Sequence, residues 1–122
     1  MRKKVLIVDD YEPVREVTKE ILERNKALQV SEVSNGKDAL HLLQNKSFDL
    51  LIVDIAMPEM NGIELIDKLR ASGSSVPIIV LSGVLNHNIR EFLSSIESIY
   101  IIEKTFTIDT LVKNVENILK ER

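Results

Sequence analysis

Hydrophobic residues form five short runs along the chain, and each run is followed by a segment whose apolar residues recur every three or four positions. The runs lie at residues 5–8, 28–33, 50–53, 76–81 and 99–102. Most are continuous and rich in Val and Ile, a pattern typical of strands buried on both faces. Five strand-then-helix units predict an α/β fold in which a parallel sheet is covered by helices on both faces. The crossovers should be right-handed.

The helices are indicated by spacing and by their first residues. Pro13 suits the first turn of a helix, where its missing N–H is not needed, and Thr107 can cap the last one. The apolar positions at helical spacing are Val14, Val17, Ile21 and Leu22; Ala39, Leu40 and Leu43; Ile63, Leu65, Ile66 and Leu69; Ile89, Phe92, Leu93 and Ile96; and Leu111, Val112, Val115, Ile118 and Leu119. No linker or repeat interrupts this pattern. We therefore expect one domain over residues 1–122 that acts alone.

Composition excludes several classes of protein. With 44% hydrophobic and 29% charged residues, the chain is too apolar for intrinsic disorder, and its net charge of -3 gives no reason to expect nucleic acid as a partner. The absence of cysteine excludes disulfides and thiolate metal sites. The apolar run after the basic residues 2–4 is too short for an export signal, and no segment is long enough to span a membrane. We expect a cytoplasmic protein.

Polar residues follow the predicted strands at the points where they end. Asp9 and Asp10 follow the first run, Asp54 the third and Ser82 the fourth, and Lys104 lies just beyond the fifth. The carboxyl ends of parallel strands meet at one edge of a sheet, so we expect these side chains to converge. Two carboxylates about 4 Å apart repel by about 4 kcal/mol at an effective dielectric constant of about 20. Three of them therefore predict a bound cation.

The donor types favour Mg²⁺ as that cation. Mg²⁺ takes oxygen ligands and keeps several waters, whereas zinc prefers sulfur and nitrogen. Neither histidine, His41 nor His87, falls at the predicted edge, so we assign no role to them.

Several motifs together resemble a response-regulator receiver domain, and the resemblance covers the whole chain. They are Val5-Leu-Ile-Val-Asp9-Asp10, Asp54-Ile-Ala-Met-Pro58 with Asn61-Gly62, Pro77-Ile-Ile-Val-Leu-Ser82-Gly83, and Lys104 before Phe106. The resemblance implies a flavodoxin-like, doubly wound fold with strand order 2-1-3-4-5. It also implies that Asp54 accepts a phosphoryl group from a sensor histidine kinase or a phosphotransfer protein.

The resemblance also assigns roles around Asp54. Mg²⁺ (or Mn²⁺) would be bound by Asp10, Asp54 and the backbone carbonyl of Ala56, while Asp9 would hold the waters of the metal. Lys104 and Ser82 would each contact a phosphoryl oxygen.

The implied output is a change in shape. Drawing in the Ser82 loop would alter the face made by the fourth helix, fifth strand and fifth helix, where a downstream effector protein would bind. The implied activity is signalling rather than enzymatic, beyond phosphotransfer onto the chain itself and its own dephosphorylation.

The sequence departs from the family pattern at two positions, and the first departure supports an alternative. Lys104 is followed by Thr105 where the family usually has proline, so we expect a trans peptide bond there. Ile101 occupies the usual aromatic position, while Tyr100 should point to the opposite strand face. The alternative is a receiver-like interaction module that signals weakly or without phosphorylation. An aspartyl phosphatase fits less well, because Ala56 stands where such enzymes want a second aspartate.

Overall fold

Strands and helices alternate throughout the chain. The computed structural model describes residues 2–55, 61–83, 87–103 and 107–120. Its elements are β1 (Lys3–Val8), α1 (Glu12–Glu23), β2 (Leu28–Val33), α2 (Gly36–Asn45), β3 (Leu50–Asp54), α3 (Gly62–Ala71), β4 (Ile78–Ser82), α4 (His87–Ser94), β5 (Ile99–Glu103) and α5 (Ile108–Lys120). Every predicted strand and helix is present, with ends that differ from the apolar runs by one or two residues.

The strands form one parallel sheet in the order β2-β1-β3-β4-β5, which confirms the predicted fold and strand order. The central strand β3 pairs with β1 on one side and with β4 on the other. In this register Val8 lies beside Val53, and Asp54 lies beside Leu81. The carboxyl ends of β1, β3 and β4 are therefore neighbours at one edge of the sheet.

The core has two halves, one on each face of the sheet. Val5 and Ile7 of β1 pack with residues of α1 and α5, whereas Leu6 and Val8 pack with residues of α2, α3 and α4. Alternate residues of β3 and β4 divide in the same way. Full burial of one such aliphatic side chain contributes about 1.5–3 kcal/mol. Burial on both faces explains why these strands have continuous apolar runs rather than alternating ones.

Helix α1 does not bury the stripe that its apolar spacing suggested. Val14 and Val17 are 41% and 49% exposed, while Thr18 and Leu22 are buried. The hydroxyl of Thr18 donates to the carbonyl of Val14 at 2.8 Å, so its polar group is satisfied within the helix and can face the sheet. The helix is present as predicted, but two of the valines that indicated it face outward in its first two turns.

Local chemistry fixes the starts of the helices. Pro13 lies in the first turn of α1, and the side chains of Asn35 and Asn61 cap α2 and α3 by accepting from backbone N–H groups. Thr107 accepts from the N–H of Thr110 at 3.2 Å, as expected of a cap for α5. Among the described residues, no helix has both the length and the apolar character needed to cross a bilayer.

The amino-terminal edge of the sheet is held by one arginine of α3. The guanidinium of Arg70 donates to the carbonyls of Ser74, Val76 and Glu97 at 3.1, 2.8 and 3.0 Å. These acceptors belong to the loops that precede β4 and β5. A single side chain therefore ties two loops together, and burial lowers the pKa of Arg70 below its ordinary value.

Candidate functional site

Three aspartates meet at the carboxyl edge of the sheet. Asp9 and Asp10 follow β1, and Asp54 is the last residue of β3. One carboxylate oxygen from each lies within 4.8 Å of the others. Asp9 and Asp54 are only 4% and 3% exposed, whereas Asp10 is exposed. The structure therefore brings together the three carboxylates that the strand ends predicted.

This donor set suits a hard divalent cation. Burying carboxylates beside one another is costly unless hydrogen bonds or a counterion compensate. One compensation is visible, since Oδ1 of Asp9 accepts from the N–H of Tyr11 at 2.9 Å. Three oxygen donors and no nitrogen or sulfur fit Mg²⁺ or Mn²⁺ better than zinc. His41 and His87 are both exposed, as expected of residues without a role at the site.

Ser82 ends β4, the strand next to Asp54. It is 1% exposed, and its hydroxyl has no hydrogen-bond partner among the residues that the structure describes. A buried hydroxyl without a partner costs free energy, so such groups are rare. Ser82 is thus a polar group at the acidic edge that can still donate a hydrogen bond.

Several predictions concern residues that lie outside the described part of the chain. They are the roles of Lys104 and of the Ala56 carbonyl, and the trans bond before Thr105. The expectation that Ile101 and Tyr100 lie on opposite faces of β5 is confirmed. Tyr100 is 37% exposed, whereas Ile101 packs into the core half formed with α2, α3 and α4.

Gly62 brings the start of α3 against the end of β3. A Cβ atom at this position would lie 2.6 Å from Cα of Ile55 and 2.8 Å from the carbonyl oxygen of Asp54. The N–H of Gly62 also donates to the carbonyl of Ile55 at 3.1 Å. The sequence marked Asn61-Gly62 as a turn, but the close approach to Asp54 appears only in the structure. Glycine is required here by contact with the backbone of the site.

Arg15 of α1 reaches the acidic edge and was missed by sequence reasoning. Its Nη1 donates to the backbone carbonyl of Asp9 at 2.8 Å, and its Nε donates to Glu32 of β2 at 3.2 Å. Lys19, one helical turn later, lies 4.0 Å from the same carboxylate. Nothing in the sequence separates Arg15 from Lys19, the other basic residue of α1, because its contacts depend on how the helix sits on the sheet.

The exposed side of α1 is apolar beside the acidic edge. Tyr11, Val14 and Val17 are among the large hydrophobic residues that are most exposed. The same helix carries Glu12 and Glu16. A hydrogen bond with the Glu12 side chain, and then repulsion from its charge, raise the pKa of Glu16 above its ordinary value. The surface next to the three aspartates is therefore both apolar and acidic.

Comparison with known proteins agrees with this geometry. A family model described as the response regulator receiver domain matches residues 5–116. The transcriptional regulatory protein SrrA of Staphylococcus aureus is 33% identical over 122 residues, which cover 98% of this chain and 49% of SrrA. The chain spans about half the length, or less, of the curated relatives it matches.

Solved structures give the same result. The receiver domain of a Francisella response regulator has a TM-score of 0.87 and 29% identity, with 98% of each chain covered. The chemotaxis protein CheY4 of Vibrio cholerae has a TM-score of 0.84 and 25% identity, with 97% of this chain and 99% of CheY4 covered. The chain belongs to the family of response regulator receiver domains, the phosphoacceptor signalling modules of two-component systems.

Proposed function

We propose that this receiver domain takes a phosphoryl group onto Asp54 from a sensor histidine kinase or phosphotransfer protein, with Mg²⁺, and signals through the face formed by α4, β5 and α5. The observation that carries the proposal is the meeting of the Asp9, Asp10 and Asp54 carboxylates within 4.8 Å at the carboxyl edge of the sheet. Receiver domains interact with histidine kinases and effectors and bind Mg²⁺ at an acidic pocket. We take residues 1–122 as one such unit.

Asp54 is the nucleophile in this proposal. It ends a strand that is buried along its whole length, so its carboxylate is held in a fixed position. One of its oxygens bonds to phosphorus as the bond from phosphorus to the donor's imidazole nitrogen breaks, and the imidazole leaves. Asp9, Asp10, Asp54 and the carbonyl of Ala56 would hold Mg²⁺ or Mn²⁺, which neutralises phosphoryl oxygens when bound.

The response starts from Ser82 and Lys104. The hydroxyl of Ser82 is buried and lacks a partner among the described residues, and it donates to a phosphoryl oxygen once one is present. The ammonium group of Lys104 pairs with another. Because Ser82 ends β4, its new hydrogen bond pulls on the segment that leads into α4. The output face contains Tyr100, which is exposed on β5 and available to an effector protein.

The protein donor needs a surface beside Asp54. The exposed apolar residues at the start of α1 would supply one: Tyr11 directly follows the Asp9-Asp10 pair, and Val14 and Val17 lie in the first two turns of the helix. Exposed apolar groups next to a polar site are typical of a protein contact. This surface supports transfer from a protein rather than from a small phosphorylated metabolite.

Phosphorylation by a small acyl phosphate tests the proposal. With Mg²⁺, we expect intact-protein mass spectrometry to show one added phosphoryl group on the wild-type protein, and none on Asp54→Asn. The control is Asp49→Asn, one residue before the same strand begins, which should be phosphorylated as the wild type is. A folded wild-type protein that binds Mg²⁺ but stays unmodified would favour the alternative, an interaction module that works without phosphorylation.

A further inference from the structure

The loop that carries Asp9 and Asp10 is fixed at several points. The N–H of Asp9 donates to the carbonyl of Val33 in β2 at 3.2 Å, and its Oδ1 accepts from the N–H of Tyr11 at 2.9 Å. Its carbonyl accepts from Nη1 of Arg15 at 2.8 Å. Arg15 is therefore the side chain that holds the peptide group between Asp9 and Asp10.

Arg15 is itself held in place. Its side chain is only 12% exposed, and its Nε donates to Glu32 at 3.2 Å. Glu32 lies opposite Ile7 in the sheet, so the guanidinium joins α1, the end of β1 and the edge strand β2. A planar guanidinium can donate to two acceptors in fixed directions at once, which an ammonium group does less well.

The position of the Asp10 carboxylate depends on these contacts more than the positions of the Asp9 and Asp54 carboxylates do. Asp9 and Asp54 are buried, but Asp10 is exposed, and no hydrogen bond to its carboxylate is found within the described residues. Its position in the cluster follows from the direction of the backbone that precedes it. Rotation of the Asp9-Asp10 peptide would carry the Asp10 carboxylate away from the other two.

We propose that Arg15 is a positioning residue for the cation site: by fixing the Asp9 carbonyl, it keeps the Asp10 carboxylate within reach of Asp9 and Asp54. The inference rests on the proposed function, because it takes Mg²⁺ to bind there. It adds a residue that contacts neither the metal nor the phosphoryl group. Residues that orient metal ligands typically change metal affinity by about 10-fold to 100-fold when they are replaced.

The direction in which Mg²⁺ affinity changes when Arg15 is removed separates a positioning role from a purely electrostatic one. Arg15 carries a positive charge beside an acidic cluster, and such a charge opposes the binding of a cation. If charge alone mattered, removal of Arg15 would strengthen Mg²⁺ binding. If Arg15 positions Asp10, its removal weakens binding although the local charge becomes more negative.

The test is the Mg²⁺ dissociation constant of the folded protein, measured by isothermal titration calorimetry well below the unfolding temperature. We expect Arg15→Gln to raise this constant by about 10-fold or more. Arg15→Lys keeps the charge and should still raise it severalfold, which also covers the case in which Arg15→Gln does not fold. The control is Lys19→Gln, which removes an equal charge near the same Glu32 and should leave the constant unchanged or slightly lower.

The outcomes separate the two proposals. If the wild-type protein does not bind Mg²⁺, the proposed function fails and this inference fails with it. If the wild type binds Mg²⁺ and both Arg15 variants bind it as tightly or more tightly, the positioning role alone is overturned. Weaker binding in both Arg15 variants, with Lys19→Gln unaffected, supports the role.

Discussion

The two edges of the sheet differ in how their polar groups are paired. At the amino-terminal edge, the guanidinium of Arg70 donates to three backbone carbonyls of this chain. At the carboxyl edge, the carboxylates of Asp9, Asp10 and Asp54 lie within 4.8 Å of one another. The first edge pairs polar groups within the protein, whereas the second gathers like charges. A protein that was selected only for stability would not build the second edge.

The comparison separates an edge held by the protein's own hydrogen bonds from an edge that carries the proposed site. Burial lowers the pKa of Arg70, but a guanidinium remains charged at any physiological pH, so the amino-terminal edge does not depend on conditions. If Mg²⁺ binds as proposed, the stability of the acidic edge depends on the cation concentration, because a ligand that binds only the folded state stabilises it by mass action. Substitutions at the two edges should therefore respond differently to Mg²⁺.

The largest effect is expected at Gly62, where the acidic edge meets α3. Gly62→Ala places a Cβ 2.6 Å from Cα of Ile55 and 2.8 Å from the Asp54 carbonyl oxygen, so backbone must move. We expect a loss of about 3 kcal/mol in the free energy of unfolding, the upper end of overpacking effects, together with weaker stabilisation by Mg²⁺. Urea denaturation with and without Mg²⁺ measures both.

Gly83→Ala is the matched control for Gly62→Ala. A Cβ at Gly83 meets no atom within 4 Å among the described residues, so its effect should stay within about 0.5 kcal/mol. Equal losses for the two alanine variants would show that close approach at Gly62 is not the cause.

At the amino-terminal edge, Arg70→Met should cost stability without affecting the metal. The substitution leaves the carbonyls of Ser74, Val76 and Glu97 without this donor, and we expect a loss of about 2 kcal/mol. The Mg²⁺ dissociation constant should be unchanged, because the site lies at the other edge. Urea denaturation and calorimetric titration of the same variant test both statements.

An exposed arginine provides the control for Arg70. Arg90 lies 3.5 Å from Glu103, and both side chains are about half exposed or more. Arg90→Met should change the free energy of unfolding by about 0.5 kcal/mol or less. A change in Mg²⁺ affinity in Arg70→Met would mean that the two edges are coupled, contrary to the comparison.

The smallest effect is expected for Asp10→Asn, and its sign should depend on Mg²⁺. Without the cation, the substitution removes one of three mutually repelling charges and should stabilise the fold by about 0.5–1 kcal/mol, since Asp10 is exposed. With saturating Mg²⁺, the variant should be less stable than the wild type, because it has lost a ligand. Thermal melts in both conditions measure the crossover.

Asp67→Asn, on the exposed surface of α3, controls for a general loss of negative charge. It should shift the melting temperature slightly and equally in both conditions. If Asp10→Asn behaves in the same way, the three carboxylates do not act as one cation site.

The sheet and the acidic cluster could be predicted because strong local signals coincide with the fold. Continuous apolar runs identify buried strands, and parallel strands necessarily bring their carboxyl ends to one edge. The positions of Asp9, Asp10 and Asp54 follow from these two rules, and the structure confirms that they converge.

What could not be predicted depends on how elements sit against one another. Val14 and Val17 follow the spacing of a buried stripe, yet Thr18 faces the sheet, where burial is tolerated since its hydroxyl is satisfied within α1. The same placement of α1 brings Arg15, rather than Lys19, to the Asp9 carbonyl. No pattern in the sequence carries this information, because it arises from the angle and rotation of the helix on the sheet.

The central position of β3 has a consequence for how the domain opens. Every residue from Leu50 to Asp54 is buried, and the strand is hydrogen bonded to a neighbour on each side. Its amide hydrogens should exchange with solvent only when the whole sheet opens, whereas β2 and β5 each have one neighbouring strand and can fray separately. We therefore expect Asp54 to lie in the slowest-exchanging part of the molecule, and β5 to loosen or tighten without releasing it.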